Sequence, residues 1–148
     1  MEAKAETGKG KIIYTARTRT TGGREHGISR SCDGHLDVKL ASPGSRRIGT
    51  NPEQLFAAAW SAGFESAIAL AARNSKVTLG DVTIDAELDL HLADDNDYFL
   101  SARLNISILG VDRVVAQDLV RQAKQLCPYS KATRSNVDVT LNVLTTCN

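Results

Sequence analysis

Cysteine is scarce in this chain. Cys32, Cys127 and Cys147 are the only three in 148 residues, far apart and odd in number. They form no Cys-x-x-Cys pair and no disulfide framework, which argues against small secreted scaffolds and Cys-x-x-Cys zinc modules. Scattered thiols in a domain of this size point to a reducing cytoplasm, where one or two of them serve chemistry. An excess of charge of either sign is also missing. Eighteen Lys and Arg against 17 Asp and Glu leave a net charge of +1. Such a chain lacks the field that nucleic-acid or anionic-membrane binding normally uses, and neither is expected as a partner. His26, His35 and His91 show no metal-ligand spacing, and no Gly-rich phosphate loop, nucleophile elbow or basic-aromatic stripe occurs. Neither a metal nor a bound cofactor is expected. The N-terminus, Met1 to Lys11, has no apolar signal-peptide core, and residues 1–10 read as a flexible arm.

What is present is the content of one domain. The chain is 42% hydrophobic, enough for a real core and too much for a disordered segment. Residues 11–20 read as a strand with Arg17 and Arg19 on one face, and Gly22-Gly23 marks a turn. Strands follow through Gly27–Ser31 and His35–Leu40, the latter with Leu36, Val38 and Leu40 inward. Asn51, Pro52 and Gln54 form a helix start, and the helix runs to about Arg73. Eight of its residues from Leu55 to Ala72 are alanine, and its larger apolar side chains point to several faces. The stretch contains Glu65, Ser61 and Ser66, which favours a buried helix, covered on most sides, over a membrane span. Strict alternation over 81–92 and 98–109, joined by an acidic turn, predicts an antiparallel hairpin with one wet face. A second helix spans about 112–127 before Pro128, and a last strand covers 137–143. The order predicts an α+β fold: a largely antiparallel sheet packed on two main helices.

Four positions draw attention. Cys127 ends the second helix, where the negative end of the helix dipole disfavours a thiolate. Position alone favours a buried, inert cysteine, or a thiol that waits for exchange. Gly63 interrupts an alanine-rich helix at a cost of about 1 kcal/mol relative to alanine. It marks either a close backbone approach by a neighbouring helix or a place where a useful side chain once stood. Arg24 follows a double glycine, and Glu53 lies in the first turn of the long helix. By themselves they read as a solvated turn residue and a complement to the helix dipole.

Several blocks, in order and spanning about residues 12–143, resemble the organic hydroperoxide resistance (Ohr) branch of the Ohr/OsmC superfamily. They are Tyr14-Thr-Ala with Thr21-Gly-Gly-Arg24, Leu36–Leu40, Gly49–Ala58, Cys127-Pro-Tyr-Ser-Lys-Ala-Thr-Arg134 and Asn136–Leu141. The resemblance implies an intertwined homodimer and thiol peroxidase chemistry in oxidative-stress defence. A central-helix cysteine attacks an alkyl or fatty-acid hydroperoxide, a second cysteine resolves the sulfenic acid, and a lipoylated protein or other dithiol reduces the disulfide. By motif position Arg24 and Glu53 hold the attacking thiolate, and Cys127 is the resolving cysteine. The family's Ser-Ala-Cys-Phe reads Ser61-Ala62-Gly63-Phe64 here. Gly63 therefore replaces the peroxidatic cysteine, and the chain is expected to lack the two-cysteine cycle. The change is either an inactivating one on an active background, the mark of a paralogue without peroxidase chemistry, or compensated by a cycle through Cys32 or Cys127. Cys32 and Cys147 match no family motif. A non-catalytic binder of hydroperoxides or other apolar ligands, or a redox sensor using Cys127, are the alternatives. Glu53 and Gly63 lie about 15 Å apart along a helix axis. If both serve one site, they come from two subunits or from a distorted helix.

Overall fold

The structure is a computed structural model describing residues 10–145. The expected N-terminal arm, apart from Gly10, and Cys147 lie outside these residues. The chain falls into two compact units, residues 1–51 and 52–148.

The first unit holds a three-stranded antiparallel sheet, β1 (Thr18–Thr21), β2 (Ile28–Ser31) and β3 (Asp37–Lys39), in that order. Thr18 faces Ser31, and Ile28 faces both Thr21 and Lys39. Of the strand predicted over 11–20, only the end forms. Residues 11–16 have no ladder partner among the described residues, and Ile12, Ile13 and Tyr14 are 76–87% exposed. A strand-forming sequence becomes a strand only when a neighbour takes its backbone hydrogen bonds. The turn at Gly22-Gly23 leads into a four-residue helix, α1 (Gly23–His26). Both glycines have positive φ, 77° and 64°, a region that side chains with a Cβ disfavour.

The second unit begins with α2 (Pro52–Asn74). The hairpin strands β4 (Val82–Leu92) and β5 (Tyr98–Ile108) pair in unbroken register from Val82↔Ile108 to Leu92↔Tyr98. α3 (Arg113–Leu126), a short α4 (Pro128–Thr133) and β6 (Asp138–Leu144) complete it. β6 lies beside β5 and runs parallel to it, from Ser101↔Asp138 to Ser107↔Leu144. The strand pairing is largely antiparallel, as the sequence predicts, with β5–β6 the parallel exception among the described strands. The α3–α4 crossover returns the chain to the end of the sheet where β5 began, so the next strand points the same way.

The core joins Trp60, Phe64 and Ile68 of α2 to Leu104, Ile106 and Ile108 of β5, to Ala116, Val120 and Ala123 of α3, and to Cys127. α2 has the length and hydropathy of a membrane crossing. It nevertheless carries Glu53, Glu65 and Arg73 and packs one face into this core. The expected cover on most sides is absent within one chain. Ala58, Ala59, Ala62, Ser66 and Ala69 are exposed, because a single sheet and two helices reach only one side of the helix.

Candidate functional site

Gly63 sits on α2 between the buried Trp60 and Ala67. A Cβ placed on Gly63 would fall against Cδ2 and Cε2 of the Tyr129 ring. Tyr129 is the second residue of α4, so the Cys127-Pro-Tyr-Ser segment packs directly on the glycine of Ser-Ala-Gly-Phe. The close approach anticipated at Gly63 is real, but a tyrosine ring makes it rather than a helix backbone.

Two contacts hold the backbone that carries that ring. Trp60, one turn before Gly63, donates its indole Nε1–H to Ser130 Oγ at 3.2 Å in the buried interior. Thr133 Oγ1 donates to the Tyr129 carbonyl at 2.9 Å, which tightens the single turn of α4. Ser130 and Thr133 are themselves buried and line a cavity of about 100 Å³ with Trp60, Val137, Val139 and Leu141. That volume is below the roughly 300–1,000 Å³ of ordinary ligand sites.

Cys127 belongs to two helices. Its N–H donates to the Ala123 carbonyl at 2.8 Å, closing α3, and its carbonyl accepts from Lys131 N at 3.0 Å, opening α4. The sequence foresees only the first role, because Pro128 reads as a stop. Pro128 in fact occupies the first turn of α4, where its missing N–H costs nothing. The Cys127 side chain is completely buried. Cys32 is exposed just beyond β2, with its N–H donating to the Arg17 carbonyl at 3.0 Å.

Glu53 is half-buried in the first turn of α2, and α2 is continuous helix through Gly63. A distorted helix therefore does not bring them together. Arg24 is exposed on α1 in the first unit. Arg47, which sequence reasoning did not single out, supports α1. Its Nε donates to the Leu40 carbonyl at 2.9 Å and its Nη2 to the His26 carbonyl at 3.2 Å. The guanidinium thus satisfies the end of the turn that presents Arg24.

Among the described residues no group of three His, Cys, Asp or Glu could hold a metal ion. His91 lies on the wet face of its strand as predicted, stacked on Phe99 and hydrogen-bonded to Ser101 Oγ at 2.7 Å.

The OsmC-like protein family matches residues 42–142. An organic hydroperoxide resistance protein of Xanthomonas axonopodis pv. citri is 43% identical over 138 residues, covering 90% of this chain and 96% of that protein. The organic hydroperoxide resistance protein OhrA of Bacillus subtilis is 41% identical, covering 88% and 96%. The crystal structure of an organic hydroperoxide resistance protein from Legionella pneumophila superposes with a TM-score of 0.85 at 41% identity, covering 90% of this chain and 98% of that one. With the central helix, the hairpin and the Cys127 segment all inside the matched region, the chain belongs to the OsmC-like family, among its organic hydroperoxide resistance proteins.

Proposed function

We propose that this chain is an organic hydroperoxide reductase scaffold whose attacking thiol is missing at position 63. The observation that carries this reading is the packing of the Cys127-Pro-Tyr-Ser segment onto Gly63. The segment that would supply the resolving thiol abuts the position that would supply the attacking one. With a thiolate at 63, the sulfur attacks the terminal side of the peroxide bond, the alcohol leaves, and a sulfenic acid remains. The Cys127 thiol then condenses with it, releasing water and forming a disulfide that an external dithiol, such as a lipoylated protein, reduces. In this reading Arg24 stabilises the thiolate and the departing oxygen, and Glu53 orients the guanidinium. A glycine can do none of this, so the chain as it stands does not turn over by the two-cysteine cycle.

The same reading includes a homodimer in the cytoplasm. Glu53 and position 63 are about 15 Å apart on one straight helix, which favours a shared site assembled from two chains. The exposed alanine face of α2 and the exposed, apolar residues 12–14 are surfaces that a second copy would cover.

The decisive assay is dithiol-dependent consumption of an alkyl hydroperoxide. The parent chain should remain near the uncatalysed rate, and Gly63→Cys should raise it by at least about 10²-fold, the scale of positioned acid–base and electrostatic catalysis. Full turnover by the parent chain would refute the assignment of position 63. Saturable binding of the hydroperoxide by both forms, with consumption by neither, would establish the binding-protein alternative instead.

A further inference from the structure

The contact at Gly63 does more than record a missing side chain. With a Cβ at that position, the Tyr129 ring could not stand where it does. Tyr129 is 41% exposed, so its ring reaches from solvent to the helix surface rather than lying inside the core. The backbone beneath it is held. Ser130 receives the Trp60 indole N–H, Thr133 closes the turn, and Cys127 is locked in the core. Ring rotation about the side-chain torsions is therefore the cheapest motion that uncovers Gly63, whereas lifting α4 would break a buried hydrogen bond. The adjoining cavity, about 100 Å³, offers no ready room for a ligand while the ring is in place.

We infer that Tyr129 is a plug: in the Gly63 chain its ring fills the volume of the lost side chain and closes position 63 to apolar ligands. This rests on reading position 63 as the nucleophile's place. The ring presents an uncharged face, so what it excludes is the apolar end of an alkyl hydroperoxide, and what admits such a molecule is outward rotation of the ring. Restoring any side chain at 63 forces the same rotation. Gly63 and Tyr129 are thus coupled, and the present chain is self-occluded as well as lacking its thiol.

A double-mutant cycle on the full chain tests this. Alanine in place of glycine inside an unobstructed helix stabilises it. In the Tyr129→Ala background, Gly63→Ala should raise the melting temperature by roughly 2–4 °C, the helix-propensity gain for a chain of this size. In the parent background it should lower the melting temperature, and Tyr129→Phe, which keeps the ring, should preserve that loss. Equal upward shifts in every background would overturn the plug. A crystal structure of Gly63→Ala supplies a readout that needs no Tyr129 variant. The ring should occupy a different rotamer, and a ring still lying over residue 63 would also overturn the proposal. Peroxidase assays with tert-butyl hydroperoxide separate this inference from the functional reading. Opposite-signed stability shifts, with no activity in Gly63→Cys or Gly63→Cys/Tyr129→Ala, would leave the plug and remove the peroxidase reading. Activity in Gly63→Cys with additive stabilities would do the reverse.

Discussion

Cys32 and Cys127 are the two thiols among the described residues, and their surroundings separate them completely. Cys127 has no exposed surface, whereas Cys32 lies open beyond β2. Iodoacetamide on the folded protein should therefore modify Cys32 rapidly and reach Cys127 only as the protein unfolds. Peptide mass spectrometry reads both rates, and comparable labelling would show that the α3–α4 junction opens readily. Burial also decides how substitutions at Cys127 behave. Cys127→Ala removes one sulfur from the core, while Cys127→Ser adds a hydroxyl that must find a hydrogen bond. The serine variant should be the less stable of the two, by about 1–3 kcal/mol, in chemical denaturation. This contrast was half legible in the sequence. The family motif singled out Cys127, and its helix-end position argued against an activated thiol. Its helix-end position favoured burial, but the core cluster it joins, with Phe64 of α2 and Leu104 of β5, is assembled from elements distant in the chain.

At the scale of elements, the hairpin shows how much alternation can determine. The wet-face residues of β4 and β5 meet across the ladder as the periodicity predicts, and they form a connected polar network. Arg103 Nε donates to Glu87 Oε2 at 3.1 Å, its Nη2 donates to Asp89 Oδ1 at 3.1 Å, and Asn105 Nδ2 donates to Glu87 Oε2 at 3.1 Å. These hydrogen bonds, the one from Arg103 foremost in each case, hold the Glu87 and Asp89 carboxyls below their usual range. A carboxyl depressed in the folded state contributes stability above its unfolded pKa. That contribution is lost as pH falls through the folded value. Arg103→Ala should therefore lower the melting temperature slightly at pH 7, with the difference from the parent vanishing in the acid range below about pH 4. Because the groups are exposed, added salt should shrink the effect, and a salt-independent difference would contradict this account. α4 is the opposite case. A six-residue helix beginning at proline carries too short a pattern to announce itself, and its stability comes from tertiary contacts such as Trp60 to Ser130. Ser130→Ala should cost about 1–3 kcal/mol by leaving the buried indole N–H without an acceptor.

For the whole molecule, a near-zero net charge conceals an uneven distribution. Residues 1–51 carry ten Lys and Arg against five Asp and Glu, while residues 52–148 carry eight against twelve. Opposite charge on the two units suits attraction between copies, and residues 12–14 offer exposed apolar side chains to a partner. Sedimentation equilibrium should find a dimer. Ile13→Asp should weaken it by placing a charge within the exposed apolar segment, and unchanged dimerisation would remove that segment from the interface. The sequence by itself determined the α+β class, the long hairpin, both main helices, the family, and the absence of a thiol at position 63. All of these follow from local periodicity or from motifs a few residues long. Only the tertiary structure decided that β6 runs parallel to β5, that Arg47 braces the turn bearing Arg24, and that the Tyr129 ring covers Gly63. These depend on which distant segments meet once the core has packed. Sixty-six residues separate glycine from tyrosine, and only the Trp60 anchor and the close-packed interior bring the ring to the one place on α2 where no Cβ stands in its way.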